Sequence, residues 1–255
     1  MKFTLLILFV ISDSQQAKLK SKNSLRPFII GGEPITIDQA PYQVSLLFRG
    51  FHKCGASIIS QKWILTACHC VDDFNTLSDL KVRAGSRYHR YGGKLFKIRN
   101  IFSNPKCNIE NATFDSALIE LRHKIRFGKK IQAINLPMEN EELAAGTLVN
   151  ISGWGATRFP GFNSDVLMST EVAIVDYEKC KKVYSFDYFG PDVICAQVEG
   201  GGKDTCTGDS GGPLTHNGTL FGITSWGRGC GTARYPGVYS NVAYIREWIR
   251  KVAGV

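Results

Sequence analysis

Short runs rich in β-branched and aromatic residues, separated by turn-forming residues, fill the chain from residue 29 to about residue 240. The runs are 42–48, 57–66, 81–84, 95–102, 117–121, 148–152, 169–175, 213–216, 220–226 and 237–242. Many short strands at this spacing are typical of antiparallel barrels or sandwiches. Apolar residues recur at helical intervals only over 243–252, and 176–183 favours a short helical turn. The sequence therefore predicts an all-β chain with one C-terminal α-helix.

The first residues resemble an export signal. Met1-Lys2 provides a charged start, and the apolar run 3–11 that follows is too short to cross a bilayer. We interpret 1–17 as a secretory signal peptide and expect a secreted, extracellular protein with no membrane anchor.

Cysteine content and charge agree with export. The chain holds eight cysteines, which an oxidising compartment favours as disulfides. The formal net charge is +9, but the first 28 residues contain five basic residues and one acid, which leaves +5 for the rest. Basic residues are spread along the chain and nucleic-acid-binding motifs are absent, so we expect no nucleic-acid partner.

Three separate segments supply the residue types that nucleophilic catalysis needs. The segment 202–213 contains Gly-Asp-Ser-Gly-Gly around Ser210, and a serine hydroxyl needs a base and an orienting carboxylate to attack at neutral pH. His69 ends the apolar run 63–66 and Asp115 precedes the apolar run 117–121. Singly, the histidine could be structural and the aspartate a strand-edge cap, but their order and local contexts point to one catalytic set.

The chain from Ile29 to Val255 resembles a trypsin-like serine protease of the chymotrypsin family. The motifs that carry the resemblance are Ile29-Ile30-Gly31-Gly32, Thr66-Ala67-Cys68-His69-Cys70, Asp115-Ser116-Ala117-Leu118, Gly153-Trp154-Gly155, Gly208-Asp209-Ser210-Gly211-Gly212-Pro213, Ser225-Trp226-Gly227 and Pro236-Gly237-Val238-Tyr239. The resemblance implies two six-stranded antiparallel β-barrels with a catalytic cleft between them, all within one peptidase domain over 29–255.

The resemblance also implies a role for each member of the catalytic set. Ser210 would attack the scissile carbonyl, His69 would take and return the proton, and Asp115 would orient and stabilise the imidazole. The backbone N–H groups of Gly208 and Ser210 would form the oxyanion hole.

Substrate selection is implied by a second group of positions. Asp204 matches the base of the primary specificity pocket, and Gly227 and Gly237 match positions where small residues leave room for a long side chain. Cleavage after Arg or Lys follows from a carboxylate there. Ser225, Trp226 and Gly227 would align the substrate main chain as an added strand.

Activation is implied by the start of the resembling segment. Ile29 would become a new amino terminus that pairs with Asp209, so the chain would be made as a zymogen with a propeptide over 18–28. The family usually has Arg or Lys directly before the new terminus, whereas this chain reads Arg26-Pro27-Phe28-Ile29. We therefore expect a different activating protease that accepts Phe28, or trimming by a dipeptidase.

Six cysteines match bridges of the family: Cys54 with Cys70, Cys180 with Cys195, and Cys206 with Cys230. Cys68 and Cys107 remain, and we predict an unusual fourth bridge between them because both segments should lie near Asp115. Two free thiols or an intermolecular link are the alternatives. A metal site on Cys68-His69-Cys70 is disfavoured, and no cofactor or metal is predicted.

The residues beside Asp115 depart from the family pattern, and four further histidines lie outside the motifs. Phe114 and Ser116 flank Asp115 where the family commonly has asparagine and isoleucine, which suggests a looser setting for the carboxylate. His52, His89, His123 and His216 show no partner pattern and are predicted to lie on the surface.

The leading hypothesis is a secreted serine endopeptidase, a monomer that cleaves proteins and peptides after Arg or Lys and meets protein protease inhibitors. Two alternatives stay open. One is a catalytically weak or silent homologue that acts as a binding or decoy module. The other is an aromatic-preferring protease of the same fold.

Overall fold

The computed structural model describes residues 29–72, 77–185 and 189–255. The expected signal peptide and propeptide, 1–17 and 18–28, lie outside the described residues. In the described ranges, no helix is both long enough and apolar enough to span a membrane.

Two antiparallel β-barrels make up the described chain, as the family resemblance implied. The first is a closed ring of six strands in the order β2 (Gln43–Phe48), β3 (Phe51–Ile58), β4 (Trp63–Thr66), β7 (Ala117–Leu121), β6 (Lys94–Ser103) and β5 (Leu80–Ala84). The second runs in the order β9 (Met168–Val175), β10 (Val193–Gln197), β13 (Gly237–Asn241), β12 (Thr219–Trp226), β11 (Pro213–His216) and β8 (Leu148–Gly153). Pairing of β8 with β9 closes it, and β1 (Glu33–Pro34) adds to β9.

Two α-helices complete the described fold: α1 (Tyr177–Tyr184) and α2 (Arg246–Ala253). Asp176 caps α1 by accepting the backbone N–H of Lys179. The predicted terminal helix is confirmed, but it begins at Arg246 rather than at residue 243.

Barrel interiors are filled by alternate residues of the strands, as the period of two requires. On β5, for example, Leu80, Val82 and Ala84 are buried while Lys81 points to solvent. The interior of the first barrel continues into one buried cluster with Ile249 of α2, so the terminal helix is held by packing on the β core.

The strand predictions were wrong in two places. The run 57–66 is not one strand, because the chain turns between Ile58 and Trp63 and forms β3 and β4. The strand β10 was missed, although it pairs with both β9 and β13.

Candidate active site

Strand pairing brings His69 and Asp115 together. Thr66 ends β4 and lies opposite Ala117, which begins β7. His69 follows Thr66 in a short 3₁₀ turn, and Asp115 directly precedes β7, so both residues leave the first barrel at the same end of two paired strands.

The Asp115 carboxylate is fully engaged. The Nδ1–H of His69 donates to Oδ2 at 2.7 Å, and the backbone N–H of His69 donates to Oδ1 at 2.9 Å. The hydroxyl of Ser225 also donates to Oδ2. Burial opposes ionisation of Asp115, but the hydrogen bonds and charge of His69 outweigh it and lower the pKa below its usual value.

The flanking residues do not loosen this carboxylate, contrary to the expectation from their identity. The Ser116 hydroxyl donates to the Phe114 carbonyl at 3.2 Å, and the side-chain amide of Asn104 donates to that hydroxyl at 3.3 Å. The Ser240 hydroxyl of the second barrel donates to the Asp115 carbonyl at 2.7 Å. The segment that carries Asp115 is therefore tied to both barrels.

Ser210 lies across the cleft from this pair. It is half-buried, and its carbonyl accepts the backbone N–H of Gly55 from the first barrel at 2.8 Å. Ser210 lines one cavity and His69 lines the next, and Ser225 and Trp226 belong to both cavities. Within the described part of the chain, no hydrogen bond joins Ser210 to His69. Such contacts are often long in ligand-free enzymes and tighten when substrate binds.

A glycine is required at position 208. Its φ is +96°, and a Cβ there would lie 2.6 Å from Asn163 Oδ1. Its carbonyl accepts a hydrogen bond from His52 Nε2–H at 2.9 Å, so His52 Nδ1 must be the acceptor of the Ser45 hydroxyl at 2.7 Å. This arrangement fixes the orientation of the peptide group that precedes Asp209.

Asp204 lies at the base of a cavity that also contains Ser210. The backbone N–H of Gly231 donates to Asp204 Oδ2 at 2.9 Å, whereas Oδ1 is buried without a hydrogen-bond partner among the described residues. Burial raises the pKa of Asp204 to about 6. A Cβ on Gly237 would lie 2.7 Å from Oδ1, and a Cβ on Gly227 would meet no side chain and only one atom within 4 Å. The two glycines therefore leave an open path to a carboxylate oxygen.

The wall of this cavity is held by an aromatic cluster. Tyr184 packs edge-on against Trp226 at 4.7 Å between ring centroids, and its hydroxyl donates to the Pro236 carbonyl. Pro236 directly precedes Gly237, so the cluster fixes the two strand ends that border the cavity.

Asp209 is a third buried carboxylate near the cleft, and it is fully inaccessible. The backbone N–H groups of Gly155 and Cys206 donate to it at 2.7 and 3.0 Å. A Cβ on Gly153 would lie 2.1 Å from the carboxylate, so the Gly153-Trp154-Gly155 segment has to be glycine-rich to enclose it. Burial raises the pKa of Asp209 to about 7, with the charge of Asp204 adding to the effect.

The segment that begins at Ile29 packs against the loop that contains Gly202 and Asp204. The Ile29 side chain is inaccessible, and the Ile30 carbonyl accepts the backbone N–H of Asp204 at 3.2 Å. Gly31 has a φ of +69°, and a Cβ there would lie 2.3 Å from the Gly202 carbonyl oxygen. Across residues 29–72, 77–185 and 189–255, no hydrogen bond joins Ile29 to Asp209.

Four disulfides use all eight cysteines: Cys54–Cys70, Cys68–Cys107, Cys180–Cys195 and Cys206–Cys230. Cys54, His69 and Cys70 have their ligand atoms within 4.8 Å of one another. This cluster has no thiolate to offer a metal ion because Cys54 and Cys70 are bonded to each other.

Two histidine predictions were wrong. His89 is buried and His52 is half-buried, with both ring nitrogens of His52 in hydrogen bonds. Burial lowers the pKa of His52 to about 4. Sequence reasoning missed His52 because its partners Ser45 and Gly208 lie on other strands and loops.

Comparisons with known proteins agree with this architecture. A family model described as "Trypsin" matches residues 29–249. Trypsin 5G1 of Aedes aegypti is 41% identical over 229 residues, which cover 89% of this chain and 85% of that protein. The vitellin-degrading protease of Bombyx mori is 40% identical over 222 residues, covering 87% and 84%. Trypsin iota of Drosophila melanogaster is 36% identical over 253 residues, covering 98% and 96%.

The family match and the named relatives, together with the two barrels, identify a serine endopeptidase, that is, a hydrolase of peptide bonds. The chain belongs to the trypsin-like serine proteases of the chymotrypsin family.

Proposed function

We propose that this protein is a secreted trypsin, made as a zymogen, that cleaves polypeptides after Arg or Lys. The observation that supports the specificity is the Asp204 carboxylate. Among the described residues, one of its oxygens is buried without a hydrogen-bond partner, in a cavity that Ser210 also lines. A guanidinium or ammonium group of a substrate would supply both the missing hydrogen bond and the opposite charge.

We infer the following roles at the reacting bond. Ser210 attacks the carbonyl carbon while His69 Nε2 accepts its proton, and His69 later returns that proton to the leaving amine. Asp115 keeps the Nδ1–H tautomer and stabilises the imidazolium, a role supported by the 2.7 Å hydrogen bond between them. The charge that develops on the carbonyl oxygen is met by the N–H groups of Gly208 and Ser210, and one such donor is typically worth about 3 kcal/mol.

Substrate alignment is assigned to the end of β12. Ser225, Trp226 and Gly227 would pair with the substrate main chain as an added strand, and Gly227 and Gly237 leave the path to Asp204 open. Ser225 also donates to Asp115, which would couple substrate alignment to the carboxylate that orients His69.

Activation is assigned to release of the Ile29 amino group. Asp209 is buried with two backbone donors and, among the residues that the structure describes, no cationic partner, and burial raises its pKa. A freed ammonium at Ile29 would provide it and would order the neighbouring Gly208 and Ser210. Cleavage after Phe28 by another protease, or removal of two residues after a cut at Arg26, would produce this terminus.

One experiment tests these assignments together. Full chain cleaved to begin at Ile29 is compared with uncleaved chain by fluorophosphonate labelling and by cleavage of a peptide library, with Ser210→Ala as control. We expect labelling of Ser210 and cuts after Arg and Lys only in the cleaved form. Cuts after aromatic residues alone would favour the aromatic-preferring alternative, and absence of labelling would favour a silent homologue.

A further inference from the structure

A fourth buried carboxylate lies near the cleft and has no role in the account above. Asp192 directly precedes β10 and is 1% exposed. Burying a carboxylate is costly unless it is hydrogen-bonded, so the contacts of Asp192 indicate its purpose.

The side chain of Asp192 reaches from the second barrel to the backbone of the first. Its Oδ2 accepts the backbone N–H of Phe114 at 2.5 Å. Phe114 directly precedes Asp115 and has a φ of +49°. This left-handed conformation is unfavourable for a bulky side chain, so it persists only where surrounding contacts fix it.

Asp192 is itself held firmly. Its carbonyl accepts the backbone N–H of Asn241 at the end of β13 at 2.7 Å. A Cβ on Gly190 would lie 2.5 Å from Asp192 Oδ1, so the local chain is shaped around this carboxylate. On the neighbouring residue of β13, Ser240 donates to the Asp115 carbonyl at 2.7 Å. Asp192, which precedes β10, and Ser240 of β13 thus hydrogen-bond the Phe114 N–H and the Asp115 carbonyl, on either side of the Phe114–Asp115 peptide bond.

We propose that Asp192 is a positioning residue of this protease, which holds Phe114 in its left-handed conformation and thereby aims the Asp115 carboxylate at His69. The inference rests on the proposed roles of His69, Asp115 and Ser210. It identifies a contact across the two barrels, distinct from the hydrogen bond that Ser225 makes to Asp115.

The charge of Asp192 gives the proposal a second signature. Burial raises its pKa, the hydrogen bond from Phe114 opposes this, and the charge of Asp115 adds to the rise. The titratable groups that face it are Asp115 and, from α1, Tyr177, while the Lys106 ammonium lies 5.1 Å from the Phe114 ring. An ionised Asp192 behind Asp115 stabilises positive charge that develops in the cleft during the reaction.

Two substitutions separate position from charge. Asp192→Asn keeps an oxygen that accepts the Phe114 N–H but removes the charge, whereas Asp192→Ala removes both. Asp176→Ala is the matched control, because Asp176 also accepts a backbone N–H in the second barrel, from Lys179 at the start of α1.

Steady-state kinetics on the full chain after activation provide the first readout. We expect Asp192→Ala to lower kcat by about 10- to 100-fold with KM for a small substrate unchanged, since small misplacements of catalytic groups have effects of this size. We expect Asp192→Asn to keep most of kcat but to move the acid limb of the kcat/KM profile down by on the order of 0.3 pH unit. Asp176→Ala should change only the melting temperature.

The downfield Nδ1–H proton resonance of His69 provides a readout that needs no turnover, so it tests the positioning even in a chain that hydrolyses nothing. We expect this resonance to shift or broaden in Asp192→Ala and to persist in Asp176→Ala. The proposal is overturned if folded Asp192→Ala keeps the wild-type resonance and kcat. If Asp192→Ala does not fold, Asp192→Ser takes its place, because its shorter side chain cannot reach the Phe114 N–H. A folded Asp192→Ser protein with the wild-type resonance and kcat then overturns the proposal.

Discussion

The carboxylates on the two sides of the cleft are in opposite states. Asp115 of the first barrel is engaged by His69 and Ser225, and its pKa is lowered. Asp204 and Asp209 of the second barrel are also buried but face no cation from residues 29–72, 77–185 or 189–255, and burial raises their pKa values to about 6 and about 7. The carboxylate of the first barrel has its hydrogen-bond donors, whereas the two carboxylates of the second barrel are the groups that a cation would stabilise.

The difference suggests how activity is controlled. Asp115 already has hydrogen-bond donors, whereas the proposal gives Asp209 the Ile29 ammonium as its cation and gives Asp204 the basic side chain of the substrate. A raised folded-state pKa means that the protonated Asp209 stabilises the uncleaved fold below the unfolded pKa of 3.8. That contribution is lost as the pH rises through about 7. Pairing with a cation would lower the pKa of Asp209 below the unfolded value, so its contribution to stability would then be present at high pH and lost at low pH.

The largest effect should come from Asp115 in the first barrel. Asp115→Asn keeps the shape of the side chain but removes the charge and favours the wrong imidazole tautomer. We expect kcat to fall about 10⁴-fold, a magnitude known from the triad template of this same family rather than worked out for this chain. Active-site titration and kinetics on the activated protein measure it. A loss under tenfold would mean that Asp115 does not act on His69.

Substitution of Asp204 in the second barrel should lower activity on basic substrates selectively. Asp204→Ser should lower kcat/KM for Arg and Lys substrates by about 10²–10³-fold, because it removes one partner of a buried ion pair. Cleavage of an ester with no basic side chain should change little. Equal losses on both substrates would show that Asp204 supports the structure rather than the specificity.

The Cys68–Cys107 disulfide of the first barrel should contribute more to the free energy of unfolding than to the rate of catalysis. Cys68–Cys107 closes 39 residues between the turn that holds His69 and the loop that leads to Asp115. The double substitution Cys68→Ala/Cys107→Ala should lower the free energy of unfolding by about 2–4 kcal/mol, measured by denaturant titration. Cys180→Ala/Cys195→Ala is the control in the second barrel. If activity vanishes in a folded Cys68→Ala/Cys107→Ala protein, the hydrogen bonds of Asp115 are not sufficient to hold it.

The smallest effect is a change of affinity with pH. Benzamidine carries a cation that should bind ionised Asp204, so its association constant should fall about tenfold per pH unit below pH 6 as the carboxylate protonates. Calorimetry between pH 4.5 and 8 on wild type and Asp204→Asn tests this. An unchanged pH dependence in Asp204→Asn would contradict the assignment.

Sequence reasoning succeeded where the information is local. The barrel class and the terminal helix each depend on short motifs or on the spacing of apolar residues. Asp192 was given no role from the sequence, because its contact with Phe114 spans 78 residues. The partners of His52 were hidden for the same reason.

Steric requirements of single glycines fall between these cases. Gly237 could be interpreted from its place in a motif, but the 2.7 Å from its Cβ position to Asp204 Oδ1 depends on how the loop that carries Asp204 folds against β13. The sequence therefore predicts contacts between residues of known motifs, whereas the charge state of each carboxylate depends on burial and on hydrogen bonds between distant segments.

The most direct test of the account is the pKa of Asp209 before and after cleavage. Carboxyl-carbon NMR on aspartate-labelled protein, assigned with Asp209→Asn, can follow its titration in both forms. We expect a midpoint near pH 7 in the uncleaved chain and one well below pH 5 in chain that begins at Ile29. The same midpoint in both forms would contradict the proposal that the freed amine completes the site.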